Sequence, residues 1–171
     1  MLLLTRSRLT GAARPNPPTG VRTLVLALGI AALALPAAAQ ESSGASVFAG
    51  RCAVCHGPEA AGIPGSFPSL HEQIVTFAKT PQGRDYLVMV VTTGLMGDLK
   101  VAGHSYHGVM PAQSGLSEAE VAAVLTYLAS DLGKEPAAPA LTAADVTESR
   151  ARHTDGTAQS TRALRPALAE P

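Results

Sequence analysis

Two thiols and an imidazole are packed into five residues, Cys52-Ala53-Val54-Cys55-His56. C-x-x-C-H is the spacing of a c-type heme attachment site. On a helix these residues stand at i, i+3 and i+4 and share one face. Both sulfurs can then form thioethers with the heme vinyl groups while the imidazole points at the iron. Other chemistries fit less well. A structural zinc site needs four ligands, and the chain has only two cysteines. His71, His104 and His107 are available to complete a set, but no pair stands at H-x₃₋₅-H spacing. A thioredoxin-like redox pair expects a βαβ pattern that is not visible here, and a structural disulfide leaves His56 unexplained.

The first 39 residues read as a signal peptide. Arg6, Arg8, Arg14 and Arg22 form a basic start, Thr23 to Leu35 is apolar, and Pro36-Ala37-Ala38-Ala39 supplies the small residues of a cleavage site. The apolar run falls short of the about 20 residues of a membrane span, so cleavage after Ala39 is expected, with an uncleaved anchor as the alternative. The periplasm is the expected location. After the leader, Lys and Arg number nine against thirteen Asp and Glu. Residues 40–133 hold four basic and eight acidic residues, so nothing suggests nucleic-acid binding. An acidic domain of this kind associates best with a partner that is basic around its docking site.

Residues 40–133 are expected to form the folded domain and 134–171 an Ala/Pro-rich tail. A core of under a hundred residues is marginal alone, and a buried apolar macrocycle would enlarge it. Gly44 to Cys55 reads as a short helix capped by Ser42 or Ser43 and ended by Gly57-Pro58. A second helix starts at Thr80-Pro81 and stops at Gly94. Leu95 to Gly115 reads as a long, ordered loop. The last clear helix runs from Ser117 to Leu132, with a Ser117/Glu120 capping box and Gly133 as its stop. In the tail, Thr142, Asp145 and a Leu141/Val146 staple predict one short helix to about Arg152, and the remainder reads as flexible. No alternating strand pattern stands out. The expected fold class is therefore all-α, a small helical domain with long loops that need a cofactor to pack against.

From Gly44 to Gly133 the chain resembles the class I c-type cytochromes of bacteria, monoheme and His/Met ligated. The likeness rests on Cys52-Ala53-Val54-Cys55-His56-Gly57 and on Gly44 and Phe48, which match positions where the family's first helix crosses its last. It rests also on Tyr127 in the opposing helix and on Gly103-His104-Ser105-Tyr106-His107-Gly108-Val109-Met110-Pro111, which is similar to the segment that delivers the distal ligand. The resemblance implies one covalently bound heme c, on Cys52 and Cys55, with His56 as proximal and Met110 as distal iron ligand. It also implies that the Pro68 carbonyl accepts the second N–H of His56, with Pro64 as the weaker candidate, and that Leu70 touches the macrocycle.

A thioether is a soft neutral ligand that raises the heme potential, and Pro111 holds Met110 extended, which supports Met110 independently. His107, His104 and Met96 are the rival sixth ligands, while Met89 reads as core filler. Arg51 reads as an exposed helix residue, with a heme propionate as the outlying alternative. With both axial positions filled, the expected function is electron carriage between respiratory or dehydrogenase partners, and not enzymatic catalysis. The alternatives are a cytochrome subunit docked to a dehydrogenase or terminal oxidase, and a heme enzyme or gas binder with an open sixth position. Contact with a membrane is expected only through partners or an uncleaved anchor.

Overall fold

The computed structural model describes residues 43–130, 132 and 138–167. The expected signal peptide, its cleavage site and Gly133 lie outside them. The described residues belong to one compact unit. It opens on three consecutive helical pieces: α1 (Gly44–Val47), a π-helical turn (Phe48–Cys52) and α2 (Ala53–His56). Ser43 is the N-cap, its hydroxyl accepting from the Ser46 amide. Across the π turn the Ala53 amide reaches back five residues to the Phe48 carbonyl. Gly57, at φ +78°, ends the run.

α1 lies against α5 (Glu118–Ser130), whose Ser117/Glu120 capping box forms as the sequence predicts. The crossing depends on the absence of a side chain at Gly44. A Cβ there would collide with the Ala123 carbonyl and come within 2.7 Å of Tyr127 Cβ. Phe48 and Tyr127 close the crossing with ring centroids 5.9 Å apart. Val121, Val124, Leu125 and Leu128 present the apolar stripe of α5 to the core, where Phe48 and Val88 are also buried.

Two further helices follow the loop after His56. α3 (Glu72–Ala78) buries Ile74, Val75 and Phe77, and α4 (Pro81–Thr93) starts at a Thr80 cap with Pro81 in its first turn. The next segment corrects the all-α expectation. Leu95 to Met110 is not a loop but an antiparallel hairpin, β1 (Leu95–Val101) with β2 (His104–Met110). Its two-residue turn, Ala102-Gly103, holds both residues at positive φ, as a type I′ turn requires. Alternation is present in Leu95, Leu99 and Val101, but Gly97 and Gly108, paired across the strands, interrupt it. The fold is mostly helical with this one small sheet among the described residues.

The tail also differs from expectation. α6 (Ala143–Arg152) carries the Thr142/Asp145 capping box, but a second helix, α7 (Ala158–Ala163), follows with its own Thr157/Ser160 box. Neither helix hangs free. Val146 is fully buried in the core, and the Leu141 amide donates to the Thr126 hydroxyl at 3.0 Å. Asp85 of α4 accepts from the Ser149 hydroxyl and from Arg152 Nε at 3.1 Å. Burial opposes ionisation of Asp85, but the bonds from Arg152 and Ser149 outweigh it and hold the carboxyl below its usual range. Farther on, Arg162 and Arg165 donate to the Asp98 and Lys100 carbonyls, so β1 is bonded to the tail as well as to β2.

Overpacking the Gly44 crossing is expected to cost about 1–3 kcal/mol in Gly44→Ala. Gly50→Ala, where a Cβ meets nothing within 4 Å, should instead stabilise by up to about 1 kcal/mol. Urea unfolding of both variants checks the pair. The depressed Asp85 pKa sets a second expectation. Its contribution is complete above the unfolded carboxylate pKa of about 3.9 and is lost as pH falls through the lower folded value. Asp85→Asn should therefore lower the melting temperature at neutral pH, and the gap to wild type should close in acid.

Candidate functional site

A cavity of ≈ 270 Å³ lies between α2, α3, α4 and the hairpin. Cys55, His56, Pro68, Leu70 and Met110 all line it. His56, at the end of α2, is 7% exposed. Its Nδ1 lies 2.9 Å from the Pro68 carbonyl oxygen. A carbonyl only accepts, so Nδ1 carries the hydrogen and Nε2 keeps the lone pair. Burial lowers the imidazole pKa against the opposing effect of the Pro68 bond, which favours the neutral, ligating form.

Local backbone geometry brings Pro68 back to His56. The Gly62 amide donates to the His56 carbonyl at 2.8 Å, and the Leu70 amide to the Ala60 carbonyl at 2.9 Å. Gly62 has φ +72°, and a Cβ there would collide with the Phe67 and Pro68 backbone. His71, which has no predicted role, closes the same loop through Nε2 to the Glu59 carbonyl. Pro64 is exposed and away from the cavity lining.

Cys52 and Cys55 are not joined in a disulfide, and both are partly buried. Cys55 lines the cavity, whereas Cys52 does not and packs against the hydrophobic core. Burial, and then the nearby Cys55, push the Cys52 thiol pKa up. Val54, between them, is 85% exposed, and Arg51 is exposed as predicted.

The hairpin separates the rival distal residues. Leu95, Gly97, Leu99 and Val101 of β1 line the cavity together with Tyr106, Gly108, Val109 and Met110 of β2, while neither Met96 nor His107 does. Strand alternation puts Met96 and His107 on the opposite face. There Met96 is 40% exposed, and His107 Nδ1 bonds Asp98 Oδ1 at 2.8 Å. His104 is exposed at the turn. Met89 is buried, in keeping with core filler. Gly94 anchors the start of the hairpin with φ +89° and ψ −180°, a region open essentially to glycine alone. A Cβ there would come within 2.6 Å of the Met110 carbonyl.

An apolar cavity lined by a neutral imidazole and a thioether, with C-x-x-C-H on the adjoining helix, fits a flat macrocycle with a central iron. Among the described residues no cluster of three or more His, Cys, Asp or Glu could hold a bare metal ion. These features define a heme-binding domain of c type. Residues 39–128 match the family described as cytochrome c oxidase, cbb3-type, subunit III. One cytochrome c-552 of Thermus thermophilus is 38% identical over 112 residues, 66% of this chain and 72% of the relative. A second Thermus thermophilus cytochrome c-552 is 39% identical over 93 residues, 54% of this chain and 70% of the relative. The chain belongs to the c-type cytochromes, electron-transfer proteins that carry covalently bound heme c.

Among the cavity residues that sequence reasoning missed are the polar side chains of Gln73, Tyr86 and Arg165. Tyr86 reads in sequence as one more apolar position of α4, and nothing in the composition of the tail marks Arg165. For the hairpin anchor, Gly94→Ala is expected to cost about 1–3 kcal/mol in urea unfolding. Gly103→Ala, where a Cβ meets nothing within 4 Å, should cost less.

Proposed function

We propose that this chain is a periplasmic one-electron carrier in which Cys52 and Cys55 hold the heme, His56 is the proximal iron ligand and Met110 the distal one. The observation that carries the reading is the 2.9 Å contact of His56 Nδ1 with the Pro68 carbonyl, inside the cavity that Met110 also lines. When bound, the heme supplies an iron that takes up and releases one electron. The Pro68 carbonyl fixes the His56 tautomer and ring orientation, which raises the basicity of the ligating nitrogen. Met110 offers a soft, neutral sulfur that favours the ferrous state and so raises the potential. Leu70 and the other apolar residues lining the cavity would exclude water from the bound group. With His56 and Met110 both holding the iron, no exchangeable position would be left for a substrate.

Export would come from residues 1–39, cleaved after Ala39, leaving the heme domain of 40–133 and the segment 134–171 outside the plasma membrane. Among the described residues no helix is long and apolar enough to cross a membrane. Donor and acceptor are redox proteins, the acidic domain matching a partner that is basic where it docks. The family description, which names an oxidase subunit, favours a second reading in which the domain stays docked to a terminal oxidase. Co-purification separates the two: a carrier is recovered alone in the periplasmic fraction, a subunit with its membrane complex.

Expressed with its leader and a heme-attachment system, the protein should keep its heme through acid–acetone extraction and denaturing electrophoresis. Cys52→Ala and Cys55→Ala should each leave at most one thioether, and the double variant none. Heme lost to the organic phase by wild type would contradict the assignment. The reduced wild-type protein should not bind carbon monoxide readily.

A further inference from the structure

The described residues of the cavity wall include one permanent charge, an arginine. Among the described residues lining it there is no Asp, Glu or Lys, but Arg165 is there, supplied by the turn after α7 and far beyond residue 128, where the family match ends. The arginine is held firmly. Its Nη2 donates to Gln73 Oε1 at 2.7 Å and to the Lys100 carbonyl at 3.0 Å. The guanidinium carbon lies 5.6 Å from the Phe77 ring centroid. Tyr86, whose pKa burial raises and Arg165 opposes, stands beside it. Among the described residues no carboxylate pairs with Arg165. A half-buried cation without a counter-ion is unfavourable, and among the described residues lining the cavity none supplies an anion.

Heme carries two carboxylates on one edge of an otherwise apolar ring. We propose that Arg165, flanked by Gln73 and Tyr86, binds a heme propionate, so that the C-terminal segment completes the heme pocket. The proposal rests on the heme reading above. A guanidinium has five N–H donors in a planar fork, so two bonds from Nη2 leave donors for a carboxylate. The other arginines are less suited. Arg51 is exposed, Arg84 donates to the Ala78 and Pro139 carbonyls, and Arg162 donates to the Asp98 carbonyl without lining the cavity. The other titratable side chains facing the cavity are Cys55 and His56 of α2, Tyr86 of α4 and Tyr106 of β2.

The electrostatic sign is determined. Ferric heme bears one more positive charge than ferrous, so a nearby cation raises the potential and its removal lowers it. A buried propionate without its partner also protonates more easily, because burial disfavours the charged form. The test uses the full-length holoprotein, with covalent heme verified on a denaturing gel, and measures reduction potential against pH by spectroelectrochemistry. Arg165→Gln should lower the potential and add a pH-dependent segment in the mildly acidic range that wild type lacks. Arg165→Lys, which keeps the charge, should restore most of both properties. Arg162→Gln removes an equal charge nearby and should leave the pH profile unchanged. If Arg165→Gln keeps covalent heme and shows the wild-type potential and pH profile, the propionate assignment is overturned while the heme reading stands. Equal effects of Arg162→Gln and Arg165→Gln would also overturn it, since only distant charge would then be felt. A wild-type protein without covalent heme would overturn both readings.

Discussion

The hydrogen bond between His56 Nδ1 and the Pro68 carbonyl is the contact around which the site is organised. It joins the end of the first helical run to a loop twelve residues on, and it can form only if that loop folds back. Gly57, Ala60 and Gly62, all at positive φ, make the reversal, and the amides of Gly62 and Leu70 hold it. The buried imidazole gains a partner for one nitrogen and keeps the other bare. Leu70 reaches the cavity through the same fold-back. The chemistry of the first helical run and the shape of the loop are thus set by one short contact.

The second constraint is core size. Residues 44–130 supply the crossing of α1 with α5 and the helices α3 and α4, but the packing does not end there. Val146 enters the core from α6, Asp85 ties α4 to Ser149 and Arg152, and the tail arginines bond the backbone of β1. A two-stranded hairpin is marginal without such support. The hairpin that carries Met110 is therefore stabilised from one side by β-pairing and from the other by the tail. Position at the cavity and stability of the fold depend on the same contacts.

Much of this was legible in the sequence because capping and crossing signals are local. Thr80 with Pro81, Ser117 with Glu120 and Thr142 with Asp145 each mark a helix start within four residues. Gly44, Phe48 and Tyr127 were legible through the family likeness, as was Pro68. The hairpin was not, because Gly97 and Gly108 remove side chains from the positions where alternation would show. The same glycines leave the cavity wall smooth. α7 was missed because Thr157/Ser160 lacks the acidic N3 residue and the stretch has few large apolar side chains. Arg165 has no local signal at all. Its place at the cavity emerges only from the tertiary placement of Gln73, Phe77, Tyr86 and Lys100 around it.

The central claim is that Met110, and neither Met96 nor His107, would hold the iron together with His56. Methionine sulfur on ferric heme gives a weak far-red charge-transfer band, which bis-histidine coordination and an open sixth position do not. That band should be present in oxidised wild type, absent in Met110→Ala, and unchanged in Met96→Ala and His107→Ala. A wild-type spectrum without the band, or a band that survives Met110→Ala, would contradict the assignment.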